Sequence, residues 1–329
     1  MIATVPPDEP QPVLAHNQPD WRRLVEVLTM GFVGSVMVTL WGWGSPQGGV
    51  PTHVRPVGVA VAVSGIAGLI AIIIAWLRSR KLVGRRVLTL VVWTLPLLFS
   101  PPLLSQDGWA YAAQGWILTQ GMDPYRVPQG LAEVLGKAVD TPWQATTAVY
   151  PPGSLWIQAA VVKITHADPT WSVMLMRIPA LIGVALMVWA VPRLARYAGT
   201  DPDHALWLAV CCPLTTLSVV GGMHNDGLQV GLSLVALVVA IRLALIGRGW
   251  LGLVLGGAFV GLAGGVKQPG VLAGVGIVAL VHVNAVRHGG RRWSTRNCWT
   301  ALLARIAVGA IPALTVFGGI SAIHGLGMG

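Results

Sequence analysis

Three short polar runs interrupt long apolar stretches of this chain: Ser105-Gln106-Asp107-Gly108-Trp109-Ala110-Tyr111, His224-Asn225-Asp226, and Lys267-Gln268-Pro269. Arg177 also stands a few residues inside an apolar stretch. An ionised side chain at mid-bilayer costs about 2.5 to 3.5 kcal/mol, so such residues must face protein or water. A carboxylate such as Asp107 or Asp226 suits a general base that takes a proton from an attacking hydroxyl. An isolated cation such as Lys267 or Arg177 suits a phosphate held at headgroup level. Together they fit a phosphate-linked lipid donor, whose displacement needs in-line geometry, a stabilised leaving charge and a base opposite it. Each residue also has a structural alternative. Asp107 and the His-Asn-Asp run could cap helices, Asp123 before Pro124 could start a turn, Lys267 could snorkel, and Arg177 could pair with a carboxylate. Physics alone does not rank Asp107 above Asp226.

The elements that must position these groups are membrane helices. Of 329 residues 54% are hydrophobic and 10% charged, with a mean hydropathy of +0.68. That excludes soluble, collagenous, disordered and disulfide-scaffold classes. Stretches long enough to cross run roughly over 24–44, 57–77, 87–104, 173–192, 205–220, 228–246, 251–266, 271–286 and 302–320, about nine spans. The apolar piece 154–162 is too short to cross unaided. With that piece not crossing and a cytoplasmic N-terminus, sixteen Lys and Arg fall inside and six outside (Arg55, Arg126, Lys137, Lys163, Arg177, Lys267). The net charge of +10 is then topology, and no nucleic-acid partner is required. Residues 1–21 read as a disordered cytoplasmic tail, with five prolines and three acids among the first twenty. Cys211, Cys212 and Cys298 read as small core residues, and most of the fifteen tryptophans as an interfacial belt.

All three polar runs emerge on the outer side of this topology, next to a long outer loop, 105–171. Loops of that length without a task are uncommon. It holds a stretch with Trp109, Ala112, Ala113, Trp116 and Ile117 spaced for one helical face, the turn Gly121-Met122-Asp123-Pro124-Tyr125, and the break Tyr150-Pro151-Pro152-Gly153. These pieces predict helices lying along the outer membrane surface. No nucleotide fingerprint, Walker loop or acidic metal cluster is present.

In this order, the runs Gln106 to Gly115, Gly121 to Tyr125, Tyr150 to Gly153, His224 to Asp226 and Val266 to Pro269 resemble the actinobacterial polyprenol-phosphomannose-dependent α-1,6-mannosyltransferases (the MptB type) of the GT-C superfamily. The resemblance begins near residue 85. It implies an all-α, GT-C-like multi-pass cell-membrane enzyme with an extracytoplasmic active site. The donor would be polyprenyl-phosphate-mannose, and the acceptor a mannan or phosphatidylinositol-mannoside of the lipomannan and lipoarabinomannan core. It further implies inversion at the anomeric carbon and Asp107 as base; no cofactor is expected, no metal ligand is assigned, and metal dependence is not implied. By the same resemblance Lys267 and Arg177 are the phosphate-binding candidates. Gln106, Tyr111, Tyr150, His224, Asn225, Asp226 and Gln268 would bind donor or acceptor, while Asp123 and Tyr125 shape the loop. Such enzymes carry further C-terminal spans, so residues 22–329 read as a transmembrane domain truncated at its C-terminus. A transporter of a lipid-linked or anionic solute competes, because Gly-rich broken helices suit one. A non-enzymatic membrane scaffold is a second competitor.

Overall fold

The computed structural model describes residues 21–44, 55–288 and 296–322; the expected tail up to residue 20 and the end after 322 lie outside the described residues. The described chain is helical and forms an all-α polytopic membrane protein. Helix α1 (Trp21–Gly44) pairs with α2 (Arg55–Ser79). Then follow α3 (Arg86–Thr94), α4 (Asp107–Thr119), α5 (Glu133–Ala138), α6 (Thr141–Gln144), α7 (Pro152–Ile164), α8 (Pro169–Leu175), α9 (Arg177–Tyr197) and α10 (Pro202–Ala209). The second half holds α11 (Asp226–Leu245), α12 (Gly249–Val266), α13 (Ala273–His288) and α14 (Arg296–Ser321).

Seven helices among the described residues are long and apolar enough to cross a membrane, and an eighth span exists if one bent pair counts as one. Two of the nine expected stretches are therefore not continuous helices. The stretch 87–104 is not a continuous helix: Leu95 ends the regular part, Pro96–Phe99 forms a single 3₁₀ turn, and Pro101-Pro102 leaves the helical path. Its helical length, Arg86–Phe99, is roughly 21 Å against about 30 Å of hydrocarbon. The stretch 205–220 is also broken, into α10 and the wide-turned segment Leu214–Gly221, which meet at 52°.

Non-helical backbone at membrane depth survives only when protein satisfies its polar groups. Here Ser100, Pro101, Pro102 and Leu103 are buried, and one side chain serves both breaks. Arg177 donates from Nε to the Val220 carbonyl (2.9 Å), from Nη1 to Leu98 (2.9 Å), and from Nη2 to the Ser100 carbonyl (2.8 Å) and hydroxyl (3.2 Å). Leu103 then donates its N–H to the Gly221 carbonyl (3.0 Å), tying the two breaks directly together.

Small residues let the long helices approach closely, as membrane helix packing requires. A Cβ added to Gly183 of α9 would stand 2.1 Å from the Gly227 carbonyl carbon of α11. Gly183→Leu is thus expected to overpack the α9–α11 seam by upwards of about 1 to 3 kcal/mol. Thermal melting in detergent should show it, with Gly318→Leu, where a Cβ meets nothing, as an unaffected control. Elsewhere the buried Arg86 forms an ion pair with the half-buried Asp203 (2.6 Å). Beside it Trp76 and Trp207 stack at 4.6 Å and donate their ring N–H groups to each other's backbone carbonyls (3.1 and 3.0 Å). These two tryptophans, and the fully buried Trp93, serve packing. Cys211 and Cys298 are buried and free, and Cys212 is half-buried.

The segment 105–171 folds onto itself. Helix α4 was expected to lie on a surface with one face covered, yet Tyr111, Gln114 and Gly115 are buried as well as Ala112, Ala113 and Ile117. The reason is Gly115, whose missing Cβ lets α4 touch the α7 backbone at Gln158, 2.6 Å from where that Cβ would be. The core formed there draws in Ala132, Leu135, Val139, Val162, Val173 and Met223.

Candidate active site

The two linked breaks set the geometry of the site. Leu104 (φ +60°) and Met223 (φ +60°) both adopt the left-handed conformation, uncommon for residues with a side chain. Each turns the chain sharply, one immediately before Ser105 and the other immediately before His224. Such backbone persists where surrounding structure enforces it, and it concentrates at functional sites. Met223 is fully buried and its Sδ packs against Gly108, so the start of α4 lies against the turn that carries His224.

Asp107 and His224 meet as a result. Asp107 Oδ2 lies 3.0 Å from His224 Nδ1 and accepts from the Tyr111 hydroxyl at 3.1 Å. The Tyr111 hydroxyl is also 3.3 Å from Asn225 Oδ1 and 3.5 Å from the Tyr150 hydroxyl, and the two rings meet edge to face at 5.3 Å. Asn225 Nδ2 donates to Ser154 Oγ (3.2 Å), which also accepts from Gln158 (3.1 Å). Asp226 pairs instead with Lys267 Nζ at 2.7 Å, and Lys267 lies over the Tyr150 ring, 5.9 Å from its centroid. Gln268 donates to the Val149 carbonyl (3.1 Å), and Tyr125 to the Tyr150 carbonyl (2.8 Å); both fix the backbone that carries Tyr150.

Burial pushes the Asp107 carboxyl up, but the hydrogen bond and charge of His224, aided by Ser105 and Tyr111, outweigh it and hold the carboxyl below its ordinary value. Asp107 is therefore a carboxylate at neutral pH. Burial drives the Tyr111 phenol well above its usual range, with Tyr150 and Asp107 adding to the effect. Burial, then the Asp107 charge, pushes Tyr150 up to about 12. Both phenols remain donors through physiological pH.

Of the residues expected at the site, Asp107, Tyr111, Tyr150, His224 and Asn225 form one connected cluster, and Asp226, Lys267 and Gln268 adjoin it through Tyr150. Gln106 lines the cavity beside Asp107, whose volume is about 300 Å³. Arg177 does not belong. It is 2% exposed and its donors are occupied by the carbonyls of the two broken spans, so the expected phosphate-binding role is corrected to a structural one. Asp123 accepts from the Tyr125 N–H (2.9 Å) and shapes its turn. Sequence reasoning missed Ser154 and Gln158, which look like ordinary polar residues of a short apolar helix. It also missed Gln114, Gln129, Asp140 and Trp143, which line the same cavity. Their signal, two amides, a carboxylate and a tryptophan scattered over thirty residues, has no spacing of its own. Among the described residues no three His, Cys, Asp or Glu side chains gather as a metal site.

A family described as alpha-(1->6)-mannopyranosyltransferase, N-terminal domain, matches residues 28–284. The chain belongs to this MptA/B family. Three curated relatives illustrate the similarity. Alpha-(1->6)-mannopyranosyltransferase A of Mycobacterium tuberculosis is 35% identical over 326 residues, 91% of this chain and 59% of its own. A Mycolicibacterium smegmatis protein named probable alpha-(1->6)-mannopyranosyltransferase is 35% identical over 248 residues, covering 66% and 44% of the two chains. Alpha-(1->6)-mannopyranosyltransferase B of Corynebacterium glutamicum is 28% identical over 285 residues, 74% of this chain and 46% of its own. The chain spans about half the length of the curated relatives it matches. No solved structure matches it. The MptA/B match takes in the whole carboxylate cluster, from Asp107 to Gln268.

Proposed function

We propose that this chain carries the catalytic centre of a membrane mannosyltransferase. It would transfer mannose from polyprenyl-phosphate-mannose to an α-1,6-mannan or phosphatidylinositol-mannoside acceptor, by inversion, on the outer face of the membrane. The observation that supports it best is the pairing of Asp107 with His224 and Tyr111 at the edge of a cavity. The names of the relatives supply the sugar and the linkage.

In this reading Asp107 takes the proton from the acceptor's 6-hydroxyl as its oxygen bonds to the anomeric carbon and the bond to the lipid phosphate breaks. The phosphate leaves with the electron pair. His224 and Tyr111 orient Asp107 Oδ2. Lys267, across Tyr150 from Asp107, meets the departing phosphate with the ammonium N–H groups that Asp226 does not occupy. The donor lipid is consumed as a substrate, and the residues named here act without a bound cofactor. The cell-membrane orientation, N-terminus inside and cluster outside, follows the distribution of Lys and Arg provided that the two broken stretches, around Arg86–Phe99 and 202–221, still carry the chain from one side to the other.

The test is transfer from radiolabelled polyprenyl-phosphate-mannose to an α-1,6-dimannoside in membranes carrying the chain. Lys267→Ala is expected to raise the donor KM about tenfold or more while the acceptor KM holds. Transfer from a different lipid-linked sugar in place of mannose would overturn the donor. The transporter reading loses support from Arg177, which fills the two helix breaks that a solute path would use. Uptake of polyprenyl phosphate into sealed vesicles without sugar transfer would restore it.

A further inference from the structure

The cavity beside Asp107 contains two buried amides that the protein leaves incompletely bonded. Gln114 is 1% and Gln129 2% exposed, both line the cavity, and the amide oxygen of each has no hydrogen-bond partner. A buried polar group without a partner is costly, and in native proteins each instance calls for an explanation. Both oxygens are closed to solvent, and a rotation of either amide in the cavity wall would turn it toward a ligand rich in hydroxyls. The lining bears two carboxylates, Asp107 and Asp140, and neither lysine nor arginine, so a phosphate would be repelled. Lys267, the cation suited to phosphate, sits instead against Tyr150. Trp143 is half-exposed at the same cavity and offers the flat apolar face on which a sugar's C–H groups pack. A volume of about 300 Å³ is at the small end of ligand sites, roughly 300 to 1,000 Å³.

We infer that this cavity is the acceptor subsite, in which Gln114 and Gln129 bind hydroxyls of the terminal hexose and Trp143 packs against its ring. The inference rests on the proposed transfer reaction for the word acceptor, but the binding of a neutral saccharide stands apart from it. A base must touch the acceptor hydroxyl, and Asp107 lines this cavity. The donor's phosphate then occupies the Lys267 side, so that Tyr150 stands between the two substrates.

The experiment uses the whole chain in detergent or nanodiscs and the α-1,6-dimannoside as probe, read by tryptophan fluorescence and by acceptor and donor KM. Gln114→Leu is expected to weaken dimannoside binding about tenfold or more and to raise the acceptor KM equally, while the donor KM stays within about twofold. Its melting temperature should hold or rise, because no protein partner of the amide oxygen is lost. A merely structural glutamine would lower it. Trp143→Ala, a change at a half-exposed position that leaves the fold intact, is expected to give the same acceptor-side loss. Unchanged dimannoside binding in both variants, or equal losses for donor and acceptor, overturns the subsite. Saccharide binding that falls in both variants although the wild type transfers no mannose would retain the subsite and overturn the proposed reaction. Transfer with an unmoved acceptor KM would do the reverse.

Discussion

Arg177→Lys is expected to cost this protein its fold although the positive charge is kept. The guanidinium of Arg177 reaches the carbonyls of Leu98, Ser100 and Val220 from separate nitrogens, a planar fork that an ammonium on a flexible stem does not reproduce. Each buried carbonyl left unpaired costs about 1 to 3 kcal/mol. With three affected, the total approaches the 5 to 15 kcal/mol that holds a typical domain together. Membrane depth worsens the loss, since lipid offers no replacement donor. Fluorescence-detected size exclusion and thermal melting should show little monodisperse protein for Arg177→Lys and less for Arg177→Ala. A stable Arg177→Lys protein with a raised donor KM would instead return Arg177 to phosphate binding.

Asp107→Asn is expected to lower turnover by about 100-fold or more, the usual contribution of a positioned base, at unchanged protein level. The amide oxygen of Asn can still accept from Tyr111, so the fold should hold. The pH profile gives a second readout. Because His224 holds the Asp107 carboxyl below its ordinary value, wild-type kcat/KM should stay flat through the weakly acidic range and fall only below the usual carboxylate range. His224→Phe removes the hydrogen bond and charge that oppose burial, while burial, which raises the carboxyl, remains. The acid limb should therefore move to higher pH. The stability sign is the same. A depressed carboxyl contributes stability above its unfolded pKa, and that contribution disappears as pH falls through the folded one. Full activity in Asp107→Asn would transfer the base role to Asp226.

Much of the site is legible in the residues because the background is so apolar. Against it Asp107, His224, Asn225, Asp226 and Lys267 stand out individually, and the distribution of Lys and Arg brings them to one side. Their pairing was not legible. Two carboxylates facing one compartment look equivalent until the left-handed turns at Leu104 and Met223 send Asp107 to His224 and leave Asp226 to Lys267. The helix breaks were written in Pro96, Pro101 and Pro102, but an average over hydrophobicity counts a proline-rich stretch as apolar. Arg177 was misread for a related reason. A buried cation suggests an anion, whereas its partners are backbone carbonyls, which leave no trace in residue identity. Gln114 and Gln129 become notable only through what they fail to bond, and that is a property of the folded state.

The Arg177 clamp also joins parts of the chain that are synthesised at different times. Two of its three carbonyl partners, Leu98 and Ser100, precede it in the chain, whereas Val220 follows by 43 residues. As the polypeptide leaves the ribosome and enters the membrane, α9 can dock on the first break before the second has been synthesised, while Val220, Gly221 and His224 arrive last. The carboxylate of Asp107 thus waits, without its imidazole, until more than two hundred residues have been made. A chain that ends before Leu214 would hold the Leu98 and Ser100 partners of Arg177 and still lack both Val220 and His224.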